Sequence, residues 1–134
     1  MKFKIFESVG GISEDTKNWL DMISMPRGGE FIRFTRYTAD MERELAGYKP
    51  SHPITLYRAV DEPQINSNVS KITGVESWSK NREQAKNFGS NVIRKMFNPE
   101  DILVDTTLLP SDMFEQGEEE VLVKVRNGGK KDEI

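Results

Sequence analysis

The chain has 134 residues, with nineteen Lys and Arg against twenty-two Asp and Glu for a net charge of −3 at pH 7. That length suits one domain with a real core, and 31% charged with 9% aromatic residues fits a soluble globular protein rather than a disordered one. The scattered charges argue against a dedicated nucleic-acid binder, which needs a basic face; the absence of cysteine excludes disulfides and thiolate zinc sites and is compatible with a reducing cytoplasm.

The opening MKFKIFESVGG, broken by Lys4 and Glu7, is too short in apolar residues for a signal peptide, and nothing further on approaches membrane length, so a cytoplasmic location without membrane contact is expected. A helix is predicted after Ser13, an N-cap, with Trp19, Met22 and Ile23 at helical spacing and Pro26, Gly28 and Gly29 ending it. A second is predicted from the recurrence of Phe34, Tyr37, Met41, Leu45 and Tyr48, closed by Gly47 and Pro50. The period then changes to two: in ITLYRAV, Ile54, Leu56 and Arg58 share one face of a strand. The stretch Asp61 to Ser70, rich in Asp, Pro, Asn and Ser, reads as a loop. A short strand through Ser77, Trp78 and Ser79 runs into a helix capped by Asn81, with Ala85 and Phe88 facing inward and Gly89 as its stop. Three more strands are predicted in NVIRKMF, DILVDTT and EVLVKV. The pattern is α+β with leading helices and a largely antiparallel sheet: one domain over 1–126 and a polar tail over 127–134.

Three features carry chemical potential. They are Arg58 on a strand, the pair Ser77 and Ser79 at strand spacing, and the pair Glu118 and Glu120 at the head of a strand. Residues two apart in extended chain point the same way, so two hydroxyls and two carboxylates are offered together, with Glu119 turned outward. Each feature taken singly also fits a plain structural reading: a salt-bridged arginine, turn and capping serines, a solvated acidic face.

In their order LYRAV, ESWSKNREQAKNF and EQGEEEVLV, these stretches resemble the arginine, serine and glutamate signature of mono-ADP-ribosyltransferases of the bacterial-toxin and bacteriophage type, from about Phe34 to Val125. The resemblance implies a split antiparallel β-sandwich with N-terminal helices, NAD as the substrate and no metal. It assigns Glu120 to stabilising an oxocarbenium-like ribose, Ser77 to orienting Glu120, and Arg58 to the NAD diphosphate, with Ser79 and Phe88 also lining the NAD site. A glutamate rather than a glutamine at Glu118 implies an arginine acceptor on a target protein, which Phe114, Glu115 and Gln116 would help recognise. The match departs at Trp78, where threonine is usual in the family.

Other uses of a nucleotide fit poorly. No G-x-G-x-x-G is present, and Gly10-Gly11, Gly28-Gly29 and Gly128-Gly129 lack strand and helix context. The single histidine, His52, reads as a loop residue, and with no cysteine there is no metal-site spacing. Two alternatives remain: an NAD glycohydrolase, which would dispense with Glu118, and a non-catalytic binding module such as a viral inhibitor, using the acidic edge to grip a basic surface.

Overall fold

A computed structural model of the chain describes residues 11–24, 34–60, 64–110 and 119–125, with the backbone alone at 24 and 64–68. Helix α1 spans Glu14–Ser24. Ser13 caps it as expected: its hydroxyl accepts from the Thr16 N–H at 3.3 Å and its carbonyl from the Lys17 N–H at 3.0 Å. One face of α1 buries Trp19, Leu20 and Ile23, and the Trp19 indole satisfies its N–H on the Thr35 carbonyl at 2.8 Å. Pro26, Gly28 and Gly29 lie outside the described residues.

Helix α2 is shorter than the apolar spacing predicts, running Ala39–Leu45. Thr38 is its N-cap, extended at φ −104° and accepting from the Met41 N–H at 3.1 Å, so the segment from Phe34 to Tyr37 precedes the helix. The cause is tertiary: the Tyr37 N–H bonds the Thr73 carbonyl at 3.3 Å, which holds that segment off the helical path. The predicted stripe survives as packing. Leu45 is fully buried, and Tyr37, Met41 and Tyr48 lie against the same core.

Strand β1 covers Ile54–Ala59, and the stretch predicted as a loop after it is a helix, α3, Gln64–Thr73. Its Asn and Ser residues mask an i, i+4, i+7 spacing of Ile65, Val69 and Ile72 in the sequence. Val69 is buried and the fully buried Thr73 hydroxyl turns back to the Val69 carbonyl at 2.9 Å, so tertiary burial outweighs weak local propensity. Gly74 ends α3 at φ +85°, where a Cβ would also stand 3.0 Å from the Tyr37 ring. Gly74→Ala is therefore expected to destabilise the protein by about 1–2 kcal/mol, the cost of a left-handed backbone at a residue with a side chain, measured as a lower urea midpoint.

The remaining elements are β2 Val75–Ser79, α4 Arg82–Ala85 continued by a 3₁₀ turn Lys86–Phe88, β3 Val92–Phe97, β4 Ile102–Asp105 and β5 Glu120–Lys124. The five strands form one antiparallel sheet in the order β3-β1-β2-β5-β4. Its pairing is uneven. β1 and β3 pair continuously from Ile54↔Phe97 to Ala59↔Val92, and β2 and β5 from Val75↔Lys124 to Ser79↔Glu120, but β1 and β2 meet only at Tyr57↔Ser79. The sheet is thus split into a β3-β1 half and a β2-β5-β4 half.

Period-two alternation places a core on each side. Val75 and Leu122 join Trp19, Leu20, Ile23 and Leu45 on the helix side, while Trp78, Val121 and Val123 join Leu56, Phe97 and Ile102 on the other. Trp78 meets Phe97 edge-on with ring centroids 4.8 Å apart. The departure from threonine at this position is therefore absorbed by the reverse core, away from Ser77 and Ser79.

Candidate active site

The split between β1 and β2 is where the predicted residues meet. Ser77↔Leu122 and Ser79↔Glu120 are cross-strand partners, and directly opposed residues project from the same face, so Ser77, Ser79 and Glu120 share one side of the sheet. Glu120 opens β5, half-buried, and its Oε2 accepts the Ser77 hydroxyl at 2.5 Å. A hydroxyl donated to one carboxylate oxygen orients the group relative to β2.

Arg58 rises from the opposite side of the sheet, on the face of β1 that it shares with Ile54 and Leu56. It is half-buried, and its guanidinium donates to the Ser77 carbonyl at 2.7 Å. With β1 and β2 joined by a single pair beside it, this bond ties the two halves of the sheet at the residue that orients Glu120. Arg58, Ser77 and Glu120 therefore form one connected chain of contacts, although 62 positions separate the first from the last in sequence.

Other expectations fare differently. Ser79 is buried, and its hydroxyl donates to the Asn81 carbonyl at 3.0 Å and accepts the Asn81 N–H at 2.9 Å, turning the chain from β2 into α4. Asn81 caps α4 as predicted, accepting from the Glu83 N–H at 2.8 Å and the Gln84 N–H at 3.4 Å. Ala85 is buried as expected, but Phe88 is not: 47% of it is exposed. The α-helix stops at Ala85, and the tighter 3₁₀ turn that follows carries Phe88 off the buried stripe. His52 is an exposed loop residue ahead of β1.

Glu119 departs from the strand geometry that would turn it outward. Its φ of 49° is left-handed, and its carboxylate accepts from the Asn81 side-chain amide at 3.2 Å. Glu118, Phe114, Glu115 and Gln116 lie outside the described residues.

Sequence reading missed a second polar cluster beside β5. Asp105, at the end of β4, is 1% exposed, and its carboxylate pairs with Lys80 Nζ at 2.7 Å and accepts the Thr107 N–H and hydroxyl at 3.0 and 2.6 Å. The available signal was Asp105-Thr106-Thr107 following an apolar run, a pattern in which the aspartate side chain caps the next turn. Among the described residues there is no group of His, Asp and Glu suited to a metal ion and no helix long and apolar enough to cross a membrane.

A carboxylate heading a strand, bonded by the first serine of a Ser-x-Ser strand whose carbonyl an arginine meets, brings together on an α+β fold the residues that the sequence resemblance singles out. The family described as dinitrogenase reductase ADP-ribosyltransferase matches residues 30–130, most of the chain, and the protein belongs to that family. Neither a curated protein nor a solved structure matches the chain.

Proposed function

We propose that the protein transfers ADP-ribose from NAD to an arginine side chain of a protein acceptor and releases nicotinamide. The observation that carries this reading is the 2.5 Å bond from Ser77 to Glu120, which holds a carboxylate ready for a developing positive charge. In the first step the bond between C1′ of the ribose and the nicotinamide nitrogen breaks, and its electron pair leaves with nicotinamide. C1′ gains oxocarbenium character, which Glu120 stabilises while accepting a hydrogen bond from the ribose 2′-hydroxyl.

Arg58 contributes in two ways. A guanidinium has five N–H donors, so bracing the Ser77 carbonyl is compatible with meeting the diphosphate. Phe88, exposed at the end of the 3₁₀ turn that follows α4, offers a ring face to the nucleotide. Ser79 contributes to the NAD site through the turn it builds.

In the second step a guanidino nitrogen of the acceptor attacks C1′ and loses a proton, for which Glu118 is the proposed base. Phe114, Glu115 and Gln116 are proposed to recognise the acceptor. The family's description names dinitrogenase reductase, which supports a protein acceptor over water and makes that protein one acceptor to test.

The test uses labelled NAD with dinitrogenase reductase and, separately, with a bacterial lysate. The wild type is expected to label discrete protein bands through linkages cleaved by arginine-selective treatment. Glu118→Gln is expected to lose about 10²-fold or more of this labelling, the usual worth of a positioned base, while still releasing nicotinamide. Nicotinamide release without labelled protein, unchanged in Glu118→Gln, would favour the glycohydrolase, and no turnover of NAD at all would favour a binding module.

A further inference from the structure

Glu120 is held at more than its carboxylate. The carbonyl of Glu120 accepts the Thr106 hydroxyl at 2.6 Å, and the carbonyl of Glu119, one peptide earlier, accepts the Lys80 N–H at 3.1 Å. Glu119 is the one non-glycine residue with positive φ among those described, and such a backbone persists only where its surroundings hold it. Here the holding groups are the Lys80 N–H and the Asn81 amide, both at the end of β2, with Thr106 pulling from the end of β4.

These anchors share one foundation. Lys80 Nζ bonds both the buried Asp105 carboxylate, at 2.7 Å, and the Thr107 hydroxyl, at 2.8 Å, while Thr107 donates back to Asp105 at 2.6 Å. The closed Lys80-Asp105-Thr107 triangle joins the ends of β2 and β4 on either side of the start of β5. No step of the proposed reaction needs these three residues or Thr106. The Lys80 N–H and the Thr106 hydroxyl fall on the two peptides that set where the Glu120 side chain begins, and the triangle braces the residues that carry them.

We propose that Thr106 and Lys80 are positioning residues for Glu120, fixing its main chain so that the carboxylate held by Ser77 stays aligned with the ribose. This rests on the reading of Glu120 as the carboxylate that meets the ribose. Thr106 contributes through the Glu120 carbonyl; Lys80 contributes through the Glu119 carbonyl and through its link to Asp105. A shift of about 1 Å in a reacting group costs on the order of 10²-fold in rate, so a partial loosening of this clamp should register in kcat.

The experiment measures nicotinamide release by the full-length chain for wild type, Thr106→Val, Thr106→Ser, Lys80→Met and Glu120→Gln, per folded molecule, with urea midpoints taken alongside. Thr106→Val keeps the shape and deletes only the hydroxyl. It is expected to lower kcat by about 10-fold with KM for NAD within about twofold of wild type, and Thr106→Ser to restore it. Lys80→Met keeps the main-chain N–H on the Glu119 carbonyl and removes only the Nζ bonds to Asp105 and Thr107; it is expected to move kcat the same way and serves as the test if Thr106→Val does not fold. A purely structural role would lower the urea midpoint and leave kcat of the folded molecule unchanged. If Glu120→Gln lowers kcat by about 10²-fold or more while Thr106→Val, or Lys80→Met in its place, retains wild-type kcat, the positioning role is overturned and the proposed function stands. If the wild type releases no nicotinamide, both fall.

Discussion

Glu120→Gln is expected to lower kcat for nicotinamide release by about 10²–10³-fold, equivalent to about 2.7–4 kcal/mol of transition-state stabilisation, on the scale of removing one preorganised electrostatic partner. Glutamine keeps the length of the side chain and an oxygen that can accept the Ser77 hydroxyl, so the 2.5 Å contact has a neutral successor and the start of β5 need not move. What disappears is the negative charge. The neutral change should leave KM for NAD within a few-fold, because the ground-state ribose carries little of the positive charge that the carboxylate serves. Steady-state nicotinamide release paired with a thermal melt checks both halves. A variant that melts like wild type and turns over like wild type would remove Glu120 from the chemistry.

Trp78→Ala should cost the most stability, about 3–5 kcal/mol, the range for truncating a buried large aromatic side chain. The indole is 6% exposed, meets Phe97 edge-on at 4.8 Å and satisfies its N–H on Glu76 at 3.1 Å. Its packing with Leu56, Ile102, Val121 and Val123 draws on β1, β4 and β5 at once. Against a whole-domain stability of about 5–15 kcal/mol, that loss is a large fraction. Trp78 also sits between Ser77 and Ser79 in sequence, so the cavity opens directly behind the serine strand. A guanidinium titration should show the midpoint falling steeply for alanine and much less for Trp78→Phe, which keeps an aromatic contact to Phe97. Equal midpoints for alanine and wild type would mean that the reverse core does not depend on this ring.

Chemistry and fold were legible from the sequence to different depths. Strands β1, β2, β3, β4 and β5 all fall on predicted strands, because short runs of β-branched, aromatic and other apolar residues between turn signals are local. The Asn81 cap and the Ser13 cap were legible for the same reason: each needs only its own side chain and the next few N–H groups. Helix α3 read as a loop from its string of Asn and Ser, because what holds it, the burial of Val69 and Thr73 and the bond from the Tyr37 N–H to the Thr73 carbonyl, forms only in the folded chain. Phe88 was placed inward because the spacing assumed a continuous α-helix; the change to a 3₁₀ turn after Ala85 is a backbone event that residue types do not announce.

The amino-acid sequence by itself determined the types and order of the candidate site groups, Arg58, Ser77 and Glu120, and the strands that carry them. Only the tertiary structure decided how these groups meet. The single-pair junction between β1 and β2, the reach of Arg58 to the Ser77 carbonyl, and the clamp of Lys80, Asp105 and Thr106 on β5 all join residues far apart along the chain. Their physical basis is strand pairing and the hydrogen bonds and ion pair that satisfy the buried Asp105 carboxylate, which exist only once the sheet has formed. Side-chain alternation can be read from a string of letters; which strands become neighbours depends on two cores packing at once.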